Sequence, residues 1–151
     1  MNLNRTILAV IALGIFLRII FVWQFVDISS INQWEYGEIA KNIVHSNGYS
    51  LFYFENDSLA YKYKEEVKPF PSAYMPPGYV FIILPFYLIE NDFIINLIII
   101  SLQIFCSAAV IFFLFKLCAN IFDKSIAIVS TLIYAILPEF IYACVSFSPT
   151  V

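Results

Sequence analysis

The sequence predicts an all-α integral membrane protein: about four transmembrane helices, with an amphipathic juxtamembrane helix in the first large loop. Three observations carry this. The 151 residues are 62% hydrophobic and 13% charged, with mean hydropathy +0.85, against about 45–50% and about 25% in soluble domains. Apolar runs of membrane length alternate with short polar breaks. One long polar stretch, residues 27–75, falls between two of those runs. The net charge of −3 gives no basic field for nucleic acid.

Thr6 to Val26 is a first span, because about 20 apolar residues cross the hydrocarbon core. It is longer than the apolar core of a signal peptide and no small-residue cleavage site follows, so it reads as a retained helix. In the loop, Ser29, Ser30 and Asn32 are helix-capping candidates. Tyr36, Ile39, Ala40, Ile43 and Val44 recur at helical spacing, which predicts an amphipathic helix ended by Gly48 and lying flat in the membrane interface. Tyr49–Phe54 and Leu59–Lys64 flank Glu55-Asn56-Asp57-Ser58 as a short hairpin. A second apolar helix over 74–89 opens at Pro76-Pro77-Gly78, is short for a span and holds Pro85 as a kink. The third span is 93–117, with Asn96 and Gln103 inside it. Asp123-Lys124-Ser125 caps a fourth over 126–145, interrupted by Pro138-Glu139. Cys106, Cys118 and Cys144 show no disulfide or metal spacing and read as small apolar residues. His45 is the sole histidine, so no metal is expected, although a divalent ion is not excluded by the residues.

Several residues could carry chemistry. Glu35 could act as a general base in a partly dry site; with Asn32 three residues before it, it could equally form a capping box. Asp27 is the alternative acid or a solvated loop residue. Arg18 lies about 12 Å inside the first span at about 1.5 Å per residue. A charge there is expensive and functional by default. It could meet a lipid phosphate, pair with Glu139, or snorkel to the headgroups. Lys62, Lys64 and Lys68, interleaved with Tyr61 and Tyr63, could hold a phosphate head group or form a solvated face. Tyr74 joins the lipid-phosphate candidates, or with Pro76, Pro77 and Gly78 sets the angle of the second helix. Asn56-Asp57-Ser58 fits a glycosylation sequon.

Glu35, Ile39-Ala40, Asn42-Ile43, Gly48-Tyr49-Ser50 and Pro77-Gly78-Tyr79, in that order, resemble the GT-C superfamily of membrane glycosyltransferases, which includes protein O-mannosyltransferases and aminoarabinose transferases. The chain departs from some members at Gln33 and Trp34, where they carry an Asp. The likeness covers the N-terminal part of the family pattern. It implies a single membrane domain over 1–151 that is the N-terminal part of a larger enzyme of the plasma membrane. It also implies an extracytoplasmic 27–75 loop, although counting Lys and Arg alone puts that loop inside. It further implies a polyprenyl-phosphate sugar donor, inverting displacement at the anomeric carbon, and Glu35 as the base. The acceptor is a lipid, glycan or protein. No transfer is expected from these residues alone. The competing reading is a small non-enzymatic membrane protein that binds lipid phosphate or serves as an assembly subunit.

Overall fold

The computed structural model describes residues 3–146 and is mostly helical, at 68%. Among the described residues, six α-helices and one β-hairpin follow in order: α1 (Leu3–Phe25), α2 (Trp34–Val44), β1 (Tyr53–Glu55), β2 (Ser58–Ala60), α3 (Pro77–Tyr87), α4 (Asp92–Ile121), α5 (Lys124–Ile136) and α6 (Pro138–Tyr142). Only α1 and α4, among the described residues, are each long and apolar enough to cross a membrane. The expected four spans therefore reduce to two, or three if α5 and α6, bent by 57°, count as one. The reason is length: α3 has 11 residues, about 16 Å of helix against a core of about 30 Å.

The described residues divide into two compact units, one running through Ile28 and resuming at Ile100–Ser146, the other Ser29–Ile99. Helix α4 contributes its first turns to the second unit and the rest to the first.

In the first unit, Ile7, Val10, Ile111, Phe115, Ala127 and Ala135 form the core. Small residues let the helices approach closely, as is common between membrane helices. A Cβ on Gly14 would lie 2.7 Å from Ile111 Cδ1 and 3.5 Å from Ala135 Cβ. Asp123 caps α5 as expected, accepting from the Ile126 N–H at 2.9 Å. Helix α5 stops where Leu137 turns extended (φ −66°, ψ 125°) ahead of Pro138, which opens α6. The residue before a proline disfavours helix, and Pro138 has no N–H to give the carbonyl one turn back.

Arg18 answers that break. It is 1% exposed. Its Nη1 donates to the carbonyls of Gly14 (2.9 Å) and Ala135 (3.2 Å), and its Nη2 to that of Phe140 (3.3 Å). Its guanidinium also stands 5.6 Å from the Tyr134 ring centre, and that ring stacks on Phe140 at 4.4 Å. Arg18 therefore neither pairs with Glu139 nor snorkels. It gives the frayed end of α5 a donor where water would be scarce.

In the second unit, α2 ends before Gly48. Ser46 takes a left-handed φ of 65°, with Asn47 N–H bonded to Asn42 O at 2.8 Å and Ser46 N–H to Ile43 O at 3.1 Å, the Schellman arrangement with serine in place of glycine. The expected Asn32–Glu35 capping box is absent. Asn32 Oδ1 takes the Trp34 N–H at 3.2 Å instead. The apolar stripe of α2 (Tyr36, Ile39, Ala40) is covered by α3, which turns Val80, Ile83 and Tyr87 inward, so α2 does not lay this face on lipid. The hairpin exists but is shorter than expected. Asn56 and Asp57 both have positive φ (48° and 60°), a two-residue type I′ loop that pairs Glu55 with Ser58. Residues 61–64 lie past the hairpin.

If Arg18 serves the break, its worth depends on Pro138. Arg18→Met is expected to lose about 1–3 kcal/mol and to open the buried Cys144 to maleimide. In a Pro138→Ala background Glu139 N–H can reach Ala135 O, and the penalty should shrink by half or more. Equal penalties in the two backgrounds, read by Cys144 labelling and thermal unfolding in detergent, would show that Arg18 has another job.

Candidate functional site

A polar groove of about 460 Å³ opens in the second unit, lined by Ser29, Ser30, Gln33, Glu38, Lys41, Tyr61, Lys62, Asp92 and Asn96 among others. Four segments build it, the first being residues 29–33 ahead of α2. Helix α2 supplies Glu38 and Lys41 one turn apart, the start of α4 supplies Asp92 and Asn96 one turn apart, and the strap after the hairpin supplies Tyr61 and Lys62. The floor is dry: Asn96 is buried, Gln33 is 5% exposed and Glu38 is 7% exposed.

Gln33 ties the floor together. Its Nε2 donates to Asn96 Oδ1 at 3.0 Å and more loosely to Asp92 Oδ1 at 3.4 Å. Its Oε1 is buried without a hydrogen-bond partner, an acceptor that a donor entering the groove would satisfy. Lys41 Nζ stands 3.3 Å from Asp92 Oδ1. Glu38 Oε2 accepts the Tyr63 N–H, and the Tyr63 ring lies 4.6 Å from the His45 ring. Tyr53, buried in β1, donates its hydroxyl to the Lys62 carbonyl at 2.8 Å. These contacts hold the strap over α2. Burial raises the Glu38 carboxyl above its ordinary value, against the Tyr63 N–H and the charges of Lys41 and Lys62, with Asp92 adding to the rise.

Gly37 makes the floor possible. A Cβ there would fall 2.5 Å from Gln33 Cβ and 2.6 Å from the Tyr87 hydroxyl, so α2 meets Gln33 and α3 at a distance only glycine permits.

Of the residues singled out in the sequence, Lys62 reaches the groove. Glu35 is half-buried on α2, outside the groove lining, and its carboxylate makes no hydrogen bond among the described residues. Lys64 is drawn away to Glu55 at 2.6 Å, a hydrogen bond that raises its pKa. Tyr74 lines a separate apolar hollow of about 740 Å³ with Tyr49 and Pro71–Pro77, its ring edge-on to Phe52 at 5.3 Å. Arg18 and Asp27 belong to the other unit, where Arg18 is engaged by carbonyls and Asp27 is exposed. No three His, Cys, Asp or Glu side chains gather as a metal site among the described residues.

Glu38, Lys41, Gln33, Asp92 and Asn96 were not singled out together by the sequence. Glu38 lies on the polar side of the α2 stripe, where periodicity marks a solvated residue, and its burial comes from Tyr63, 25 residues away. The readable signal was the pairing of acid and amide at i and i+4 in Asp92 and Asn96, at the mouth of an apolar helix.

Two outcomes follow. The folded chain binds the Glu38 proton more tightly than the unfolded one, so its contribution to stability is full at low pH and falls as pH rises from about 4.3 through the raised value. Glu38→Gln should flatten that part of the stability–pH curve and leave neutral-pH stability equal or higher; an unchanged slope in urea titrations would refute it. Gly37→Ala should destabilise the unit, since overpacking of about 1–3 kcal/mol exceeds the roughly 1 kcal/mol that alanine gains in helix propensity. A raised melting temperature would contradict the close approach.

No family model matches the chain, and neither does any curated protein or solved structure.

Proposed function

We propose that the chain is part of a membrane glycosyltransferase of the GT-C kind, taking sugar from a polyprenyl-phosphate donor at the extracytoplasmic face of the plasma membrane, and that the groove of the second unit is its acceptor site. The observation that supports this reading best is Glu38, a buried carboxyl with raised proton affinity on the floor of a polar groove. A carboxylate so placed is suited to take a proton from an acceptor hydroxyl.

In the proposed step the acceptor O–H gives its proton to Glu38 as its oxygen bonds to the anomeric carbon. The bond from that carbon to the lipid-phosphate oxygen breaks, and the phosphate leaves with the electron pair. Gln33 Oε1 offers a hydrogen-bond acceptor to an acceptor hydroxyl. Lys41 and Lys62 are the cations at hand for the leaving phosphate. The sequence likeness puts the acid at Glu35; burial and the groove favour Glu38, one turn further along the same helix.

The test compares Glu38→Gln with Glu35→Gln in the native gene product in its own membranes, following sugar transfer from a polyprenyl-phosphate donor. A fall of about 10²-fold or more is expected for Glu38→Gln, with Glu35→Gln within a few-fold of wild type. The reverse result returns the role to Glu35. Full activity in both variants removes the carboxylate mechanism. No transfer by the unaltered protein, with binding to vesicles bearing phosphorylated lipid, supports the non-enzymatic lipid-phosphate reading.

A further inference from the structure

Helix α3 is apolar on every side, yet only half of it is used within the protein. Val80, Ile83 and Tyr87 face α2 and are buried. The opposite stripe, Phe81, Ile82, Pro85 and Leu88, is exposed, Phe81 by 59% and Leu88 by 70%. These positions recur at i, i+1, i+4 and i+7, one continuous face of a helix. From Pro69 through Ile89 the chain carries no charged residue. A helix apolar all round is buried on both sides, in protein or in lipid.

Three observations choose lipid and fix the depth. Five residues after Tyr87, Asp92 begins α4, which is long and apolar enough to cross a membrane, so the end of α3 is tethered to where that helix meets the bilayer surface. Next, were α3 upright in the bilayer, its 11 residues would carry Glu90 and Asp92 about 16 Å down, near the middle of a core about 30 Å thick, where acids are expensive. Lying flat, it keeps both acids at headgroup level. Last, Pro85 sits on the exposed stripe and has no N–H for the Phe81 carbonyl one turn back. Hydrocarbon would leave that carbonyl unsatisfied, whereas the interface supplies water.

We propose that α3 is a monotopic interfacial helix that lies in the plane of the membrane with Phe81, Ile82, Pro85 and Leu88 against the lipid and carries α2 on its other side. The partner is the bilayer itself, at the boundary of headgroups and acyl chains. Tyr74 and Tyr79, at the start of α3, are the residue type that settles at that boundary. This role is independent of the glycosyltransferase reading, and holds whether or not the groove transfers sugar.

The experiment places nitroxide labels one at a time at Gly78, Phe81, Ile82, Pro85, Leu88 and Ile89. The host is the native gene product, with Cys106 and Cys118 changed to serine and Cys144 to alanine, reconstituted in liposomes. Accessibility to oxygen and to a water-soluble nickel complex reports depth. The expected result is a shallow, nearly equal depth of about 5–10 Å at all six positions. A depth that increases steadily from Gly78 to Ile89, by about 1.5 Å per residue, would make α3 part of a span and overturn the proposal. Strong nickel contact at all positions would put the face in water, and protection from both reagents would put it under protein; either also overturns it. Phe81→Trp and Leu88→Trp, quenched by lipids brominated at known depths, repeat the measurement without a label. Equal quenching maxima near the headgroup end of the chains are expected, and maxima at different depths count against a flat helix.

Discussion

In a chain this apolar, every polar group taken from water needs a partner supplied from within, and the structure is arranged around that need. In the first unit the need is created by Pro138, which ends α5 among apolar neighbours, and is met by Arg18, whose guanidinium reaches the carbonyls of Ala135 and Phe140. In the second it is created by the acid and amides on the groove floor, and met by Tyr63, Gln33 and Asn96. Each arrangement leaves one buried polar atom without a partner, Arg18 Nε in the first and Gln33 Oε1 in the second, and of the two it is Gln33 that lines the groove.

Close approach is the other shared device. Gly14 and Gly37 each stand where a Cβ would fall within 3 Å of a neighbouring side chain. One lets α1 draw near Ile111 and Ala135. The other lets α2 meet Tyr87 of α3 and brings Gln33 into place. Gly48 and Gly78 meet nothing nearby, although the sequence drew more attention to them, as a helix stop and a helix opener.

Local signals in the sequence read well. The long apolar runs of α1 and α4, the Asp123 cap, the break at Pro138 and the periodicity of α2 all follow from residues within a turn or two of one another. Long-range signals read poorly. Periodicity showed that α2 has an apolar stripe but not that α3 would cover it. Spacing made Glu35 and Lys64 conspicuous, whereas the fold buries Glu38 beneath the strap and ties Lys64 to Glu55. Arg18 was legible as a costly charge, but not its partners, because backbone carbonyls carry no mark in a sequence.

The shortness of α6 has a kinetic side. Five residues lie below the length at which a helix can pay for its own nucleation, and Leu137 cuts α6 off from the hydrogen-bond ladder of α5. It is therefore not a continuation of α5, and it is held by packing on α1 and α5. Its amides should be among the first in that unit to exchange with solvent deuterium when the helices breathe.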